Sequence, residues 1–172
     1  SALKSSGFFM PRNKTVVNLA PADIRKEGSA YDLSIALCVL RASAQLVTDK
    51  LEHYIIMGEL TLDGTLRPIR GVLPIAIQAR KEGFKGFILP MDNAQEAGIV
   101  NGLDIFPVAT LREAVDFLEE KISIASVQVD AREVFSFMLN HYDTDVKDVQ
   151  GQENIKRAME IAAAGGHNVI MI

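Results

Sequence analysis

The sequence has no tryptophan, a single cysteine and only three histidines among its 172 residues. One cysteine cannot close an internal disulfide, so the fold must rest on its apolar core, and a reducing, cytoplasmic setting is expected. That residue, Cys38, lies in the apolar run "LSIALCVL" and is expected to be a small buried hydrophobe. His53, His141 and His167 stand far from one another and from Cys38, which is not the spacing of a metal site. Asp145, Asp148 and Glu153 are closer together but read as solvated charges at a helix start, so no metal site is expected. No apolar stretch approaches the roughly 20 residues that span a bilayer. No basic-then-apolar leader pattern is visible, and no membrane partner is expected. The net charge of −4 argues against a chain coated in nucleic-acid-binding charge but leaves room for local basic patches.

What is present is globular: 48% hydrophobic and 23% charged residues, without a low-complexity tract. "KTVVNLA" (Lys14 to Ala20) is β-branched and reads as a strand. Tyr31 to Leu46 is rich in Ala and Leu and reads as a largely buried helix. Tyr54 to Leu62 reads as a strand that turns at Asp63-Gly64 and returns through "TLRPI" as a hairpin. A helix over Pro74 to Glu82 with Gly83 as its cap comes next, then the strand "GFILP". A short helix over Asn93 to Val100, opened by an Asp92/Gln95 pair, leads to the strand "DIFPV". Thr110 and Glu113 form a capping box for a helix over Leu111 to Lys121. Helices mixed with strands and a hairpin give an α+β class with a mixed sheet.

The composition changes after Lys121. Residues 122–144 lack Gly and Pro and read as a connector holding a short helix near 131–139. Asn154 to Ala164 is an amphipathic helix closed by Gly165-Gly166, and "NVIMI" reads as a buried strand. The opening "SALKSSGFF" looks like the last turn of a helix, and the chain ends on an apolar run. The whole reads as a segment of a longer protein.

Three stretches, "VNLAPADIRKEGSAYDLSIAL", "GELTLDGTLRPIRGVLPIAIQARKEGFKGFILP" and "DVQGQENIKRAMEIAAAGGHNVIMI", resemble the magnesium-chelatase-like AAA+ ATPases of the ComM/YifB group. The resemblance implies a Lon-protease-like mixed-sheet domain over 1–121 that lacks its first strands. It also implies a 122–144 connector and, over 145–172, the first helix and strand of an AAA+ α/β module, stopping before its P-loop. For the full-length protein it implies ATP and Mg²⁺ as cofactors, a hexameric ring, and DNA as a partner. For this chain it implies no cofactor. Val149, Gln150 and Gly151 match the AAA+ segment whose backbone contacts the adenine, and so would form one wall of that pocket.

Lon-type proteases use a serine nucleophile and a lysine base within hydrogen-bond reach. Their pattern, laid on "KEGSA", places Ala30 on the nucleophile and leaves Ser29 one position before it. Laid on "GELTLDGTLRPIRGVL", it places Leu73 on the lysine. A methyl group cannot attack a carbonyl and a leucine cannot accept a proton, so no catalytic residue is expected. Lys81 and Lys85 lie too far along to substitute. Ser29 then reads as a polar turn residue at a helix N-terminus, with Glu27 and Asp32 favouring the helix dipole. The rival reading is a peptidase with a rearranged site using Ser29. The basic stretches "IRKEG", "RPIRG" and "ARKEGFKG" read as solvated faces, with a partner-binding surface as the alternative.

Overall fold

The computed structural model describes residues 2–12, 14–19, 28–130 and 149–170. The chain divides into two units, Ser1–Ala131 and Arg132–Ile172. In the first, strand β4 (Gly86–Pro90) is buried at every position. A strand covered on both faces reads as an unbroken apolar run, and its usual neighbours are parallel. Both flanking strands, β1 (Tyr54–Ile56) and β5 (Asp104–Val108), do pair with it in parallel, with Ile56 opposite Ile88 and Phe87 opposite Ile105.

Side chains alternate across a strand, so β4 feeds two cores. Ile88 joins Leu33, Ala36, Leu37 and Leu40 of helix α2 (Asp32–Ala42) and Leu111, Ala114, Val115 and Leu118 of helix α5 (Leu111–Leu118). The helical turn α1 (Ala2–Ser5) adds Leu3 to that cluster. Phe87 and Leu89 join Val72, Ala76 and Ala79 of helix α3 (Val72–Lys81) and Ala94 and Ala97 of helix α4 (Ala94–Gly98). Helices thus cover both faces of a small parallel sheet. The hairpin of β2 (Glu59–Leu60) and β3 (Leu66–Arg67) forms a separate antiparallel sheet. Mixed helices and strands agree with the α+β class, but parallel and antiparallel pairs do not share one sheet. The expected strand Tyr54 to Leu62 breaks at Met57-Gly58, where the chain leaves one sheet for the other.

Other expectations need correction. Residues 14–19 form no strand and expose Val16, Val17 and Leu19; β-branched residues make a strand only where a pleated neighbour receives them. Ala20 lies outside the described residues. Helix α2 ends at Ala42 rather than Leu46 because Ala44 turns left-handed, with φ +56°, and the amides of Ala44 and Gln45 close back on the carbonyls of Arg41 and Leu40. Glu120, at φ +61°, ends α5 at Leu118 rather than Lys121 in the same way. Asp92 does not cap α4, which is entered through a 3₁₀ turn, Met91–Asn93, without a side-chain cap. Cys38 is exposed, not buried, because it falls on the face of α2 opposite Leu33, Leu37 and Leu40. Thr110 does cap α5, accepting from the Glu113 amide at 3.1 Å, while Glu113 accepts from the amide of Ala109 at 2.7 Å.

The described part of the second unit is helix α6 (Glu153–Gly165) with its flanks. Gly166, at φ +64°, caps it. Residues 168–170 are exposed and form no strand; residues 171–172, like the helix expected near 131–139, lie outside the described residues. Among the described residues no helix is long and apolar enough to cross a membrane.

Leu37 is fully buried between α2 and the sheet. Leu37→Ala is expected to cost about 2–5 kcal/mol of unfolding free energy in a denaturant titration. A loss below about 1 kcal/mol would contradict this placement of α2.

Candidate functional site

The segment around Ser29 and Ala30 is held where β1 ends. A 3₁₀ turn, Ser29–Tyr31, runs into α2, and Gly28 before it adopts φ +98°. The Gly58 amide donates to the carbonyl of Ala30 at 2.8 Å, and the Leu33 amide donates to the carbonyl of Gly58 at 3.1 Å. Beside this stitch the Ser34 hydroxyl donates to the carbonyl of Ile56. The start of α2 is thereby fixed to the end of the central sheet.

Ala30 and Leu73 are both half-buried, and both pack against the same apolar cluster as Phe87, Leu89 and Val72. Both positions contribute only hydrocarbon to that cluster. Ser29 donates its hydroxyl to the carboxylate of Glu59 on β2. Glu59 lies opposite Arg67 in the hairpin register. Asp32, in the first turn of α2, accepts weakly from the Leu60 amide at 3.4 Å, so a carboxylate also tethers the hairpin to the positive end of the helix. Lys81 closes α3 eight residues beyond Leu73, roughly 12 Å along the helix at 1.5 Å per residue, and Lys85 is exposed in the loop after it. Glu27 lies outside the described residues.

Three residues that hold this region escaped the sequence reading. Glu59 is the partner of Ser29; its only signal was a carboxylate in the apolar context "YIIMGEL". Asn93, 5% exposed, pairs with both backbone groups of Ile69, accepting from its amide and donating to its carbonyl at 2.9 Å each. Glu96 accepts from the Leu73 amide at 3.0 Å and so caps the start of α3. Neither could be read from spacing, because both partners lie more than 20 residues away in sequence.

The remaining candidates are dispersed. Val149, Gln150 and Gly151 form an exposed turn before α6, with Gly151 at φ +72°. His53 is exposed at the end of a 3₁₀ turn and His167 is exposed after α6; His141, Asp145 and Asp148 lie outside the described residues. Among the described residues no group of three or more His, Cys, Asp or Glu is arranged to hold a metal ion. Arg67, Arg70, Arg80, Lys81 and Lys85 are all exposed.

Residues 1–93 match the family model described as subunit ChlI of Mg-chelatase, and residues 145–172 match a second described as magnesium chelatase, subunit ChlI. The chain belongs to the magnesium-chelatase-like ComM/YifB family. Within that family it is 42% identical to the uncharacterized protein YifB of Escherichia coli, over all of this chain and 33% of that protein. It is 39% identical to competence protein ComM of Haemophilus influenzae, over all of this chain and 34% of that protein. It spans about a third of the length of these curated relatives. Weaker likenesses, each 29% identical, cover 56% of this chain in Lon protease 2 of Bacillus subtilis (17% of that protein) and 67% in DNA repair protein RadA of Aquifex aeolicus (24% of that protein).

The hairpin that carries Glu59 turns at Asp63. Its carboxylate accepts from the hydroxyl of Thr61, and from the amide and hydroxyl of Thr65 at 3.0 and 2.8 Å. These bonds, the Thr61 hydroxyl foremost, lower its pKa from 3.8 to about 2. A depressed carboxylate supports the turn fully above its unfolded pKa and loses that support as pH falls through its folded one. An NMR titration is expected to give Asp63 a midpoint near 2, with the Thr65 amide shift following it. A midpoint at 3.8 would contradict the turn geometry.

Proposed function

We propose that residues 1–121 form a Lon-protease-like domain without catalytic function, joined by the 122–144 connector to the opening of an AAA+ module over 145–172. One observation carries the reading. The positions that would hold a nucleophile and its base, Ala30 and Leu73, are apolar and share one hydrophobic cluster. The neighbouring Ser29 hydroxyl donates to the carboxylate of Glu59, not to the lysine that a Lon-type serine nucleophile requires as its base. The domain then serves assembly or holds a partner.

For the whole protein the reading is an ATP-driven, Mg²⁺-dependent ring, a hexamer, that works on DNA in the cytoplasm. Its support is the family, the likeness to a competence protein and the likeness to a DNA repair protein. "Chelatase" is treated as a family label. Nucleotide affinity comes mainly from the phosphates, held by the backbone amides and lysine of a Gly-x-x-x-x-Gly-Lys-Ser/Thr loop. These 172 residues contain no such motif. The exposed turn Val149–Gly151 offers at most one wall for an adenine, so this chain does not by itself fit ATP, and no step of ATP hydrolysis is assigned to its residues.

Two measurements test the reading. Unfolded casein and a fluorogenic peptide should show no turnover above buffer. Turnover abolished by Ser29→Ala would assign hydrolysis to the Ser29–Glu59 pair instead. Calorimetric titration of this chain with Mg·ATP should show a dissociation constant no tighter than about millimolar, the few kcal/mol of a base contact alone. The full-length protein should bind and hydrolyse ATP. A micromolar constant for this chain would overturn the assignment.

A further inference from the structure

Residues 122–130 follow α5 without helix or strand, and their second half lies against β5, the turn before it and the end of α4. The Ile105 amide donates to the Ser126 hydroxyl at 3.1 Å, and the Val127 amide donates to the carbonyl of Ile105 at 2.9 Å. The Gln128 side chain donates to the carbonyl of Leu103 at 3.3 Å, and the Val129 amide donates to the carbonyl of Gly98 at 2.9 Å. Val127 packs into the cluster that also holds Leu73. We propose that residues 126–129 form a strap that sets residues 69–73, the entry to α3, through helix α4, so that the place where the chain leaves the first unit and the candidate site respond to one another.

Helix α4 and the turn before it touch the strap on one side and the entry to α3 on the other. At its C-terminus Gly98 meets the strap without a side chain between them. A Cβ added there would stand 2.8 Å from a methyl of Val129 and 3.3 Å from one of Val127, with the Val127 carbonyl oxygen at 3.4 Å. The strap therefore lies on the helix backbone itself, and a shift of either is felt by the other. At the N-terminal end the turn before α4 carries Asn93, which holds both backbone groups of Ile69, and α4 itself carries Glu96, which holds the amide of Leu73. Along the helix Ala94, Ala97 and Gly98 are buried, and such small residues in a close-packed core leave little slack. One short element thus grips the strap at one end and the entry to α3 at the other.

The strap is held by four hydrogen bonds and by Val127, with Gln128 exposed and Ala125 and Asp130 exposed on either side of it, so it can open at a free energy below that of global unfolding. The segment it would release enters α3 and presents Leu73. The coupling is a property of the packing and holds whether or not the domain is catalytic, so it does not rest on the function proposed above.

Coupling of this kind is reciprocal, and that makes it testable by amide hydrogen exchange in the whole chain. Two variants loosen the strap from different sides: Gly98→Val from beneath, and the double change Val127→Gly with Val129→Gly, which leaves α4 untouched. In both, exchange at residues 127 and 129 is expected to rise about tenfold or more, with Ile69 and Leu73 following by about tenfold, while Leu37 in the other core stays protected. Asn93→Ala, which frees Ile69, should in turn speed exchange at Val127 and Val129. Should Gly98→Val expose Leu37 as well, it has unfolded the domain, and the double strap variant decides. Freed amides at 127 and 129 with Ile69 and Leu73 unchanged would overturn the proposal. So would a double variant in which residues 127 and 129 remain as protected as before.

Discussion

Two backbone hydrogen bonds at Gly58, one made by its amide and one by its carbonyl, organise the rest of the first unit. Through them Ala30 and Leu33 are tied to the residue at which β1 gives way to the hairpin. A buried amide or carbonyl left without a partner costs about 1–3 kcal/mol, so the start of α2 cannot drift from the end of the sheet without exposing several such groups. Glycine lets the neighbouring side chains come close here. A Cβ at this position would stand 3.3 Å from the ring of Pro90 and 3.4 Å from Leu66. The close approach lets the last residue of β4, the hairpin and the turn before α2 meet at one point.

The two cores follow from that arrangement. β4 is buried on both faces and sends Ile88 one way and Phe87 and Leu89 the other. The helices sort themselves accordingly, α2 and α5 on one face, α3 and α4 on the other. Ala30 and Leu73 belong to the second core, although they come from a turn and a helix separated by the whole hairpin. Each contributes only hydrocarbon to that cluster.

Polar side chains do a different kind of work around the same region. Asn93 substitutes for a strand partner, giving Ile69 the two hydrogen bonds a neighbouring backbone would supply. Glu96 accepts from one of the first amides of α3, which every helix leaves without an internal partner. Both come from the turn and short helix between β4 and β5. An element of five helical residues is too short to be stable alone. Its order derives from what it is packed against, and it passes that order on to the loop before α3.

Much of this protein was legible in its residues. The unbroken "GFILP" run, the Asp63-Gly64 turn, the Thr110/Glu113 cap and the apolar spacing of α2 are local signals, and each corresponds to an element of the fold. The apolar character of positions 30 and 73 is likewise a matter of sequence. Other features are decided by contacts between distant residues. That Tyr54 to Leu62 divides between two sheets, and that the face of α2 carrying Leu33, Leu37 and Leu40 is the covered one while Cys38 faces outward, depend on neighbours brought in from elsewhere in the chain. So do the pairing of Ser29 with Glu59 and of Asn93 with Ile69. Periodicity and turn chemistry act over a few residues and are written in the sequence directly. Which side chain completes a buried hydrogen bond, or which face of a helix is left exposed, is fixed only when the elements pack.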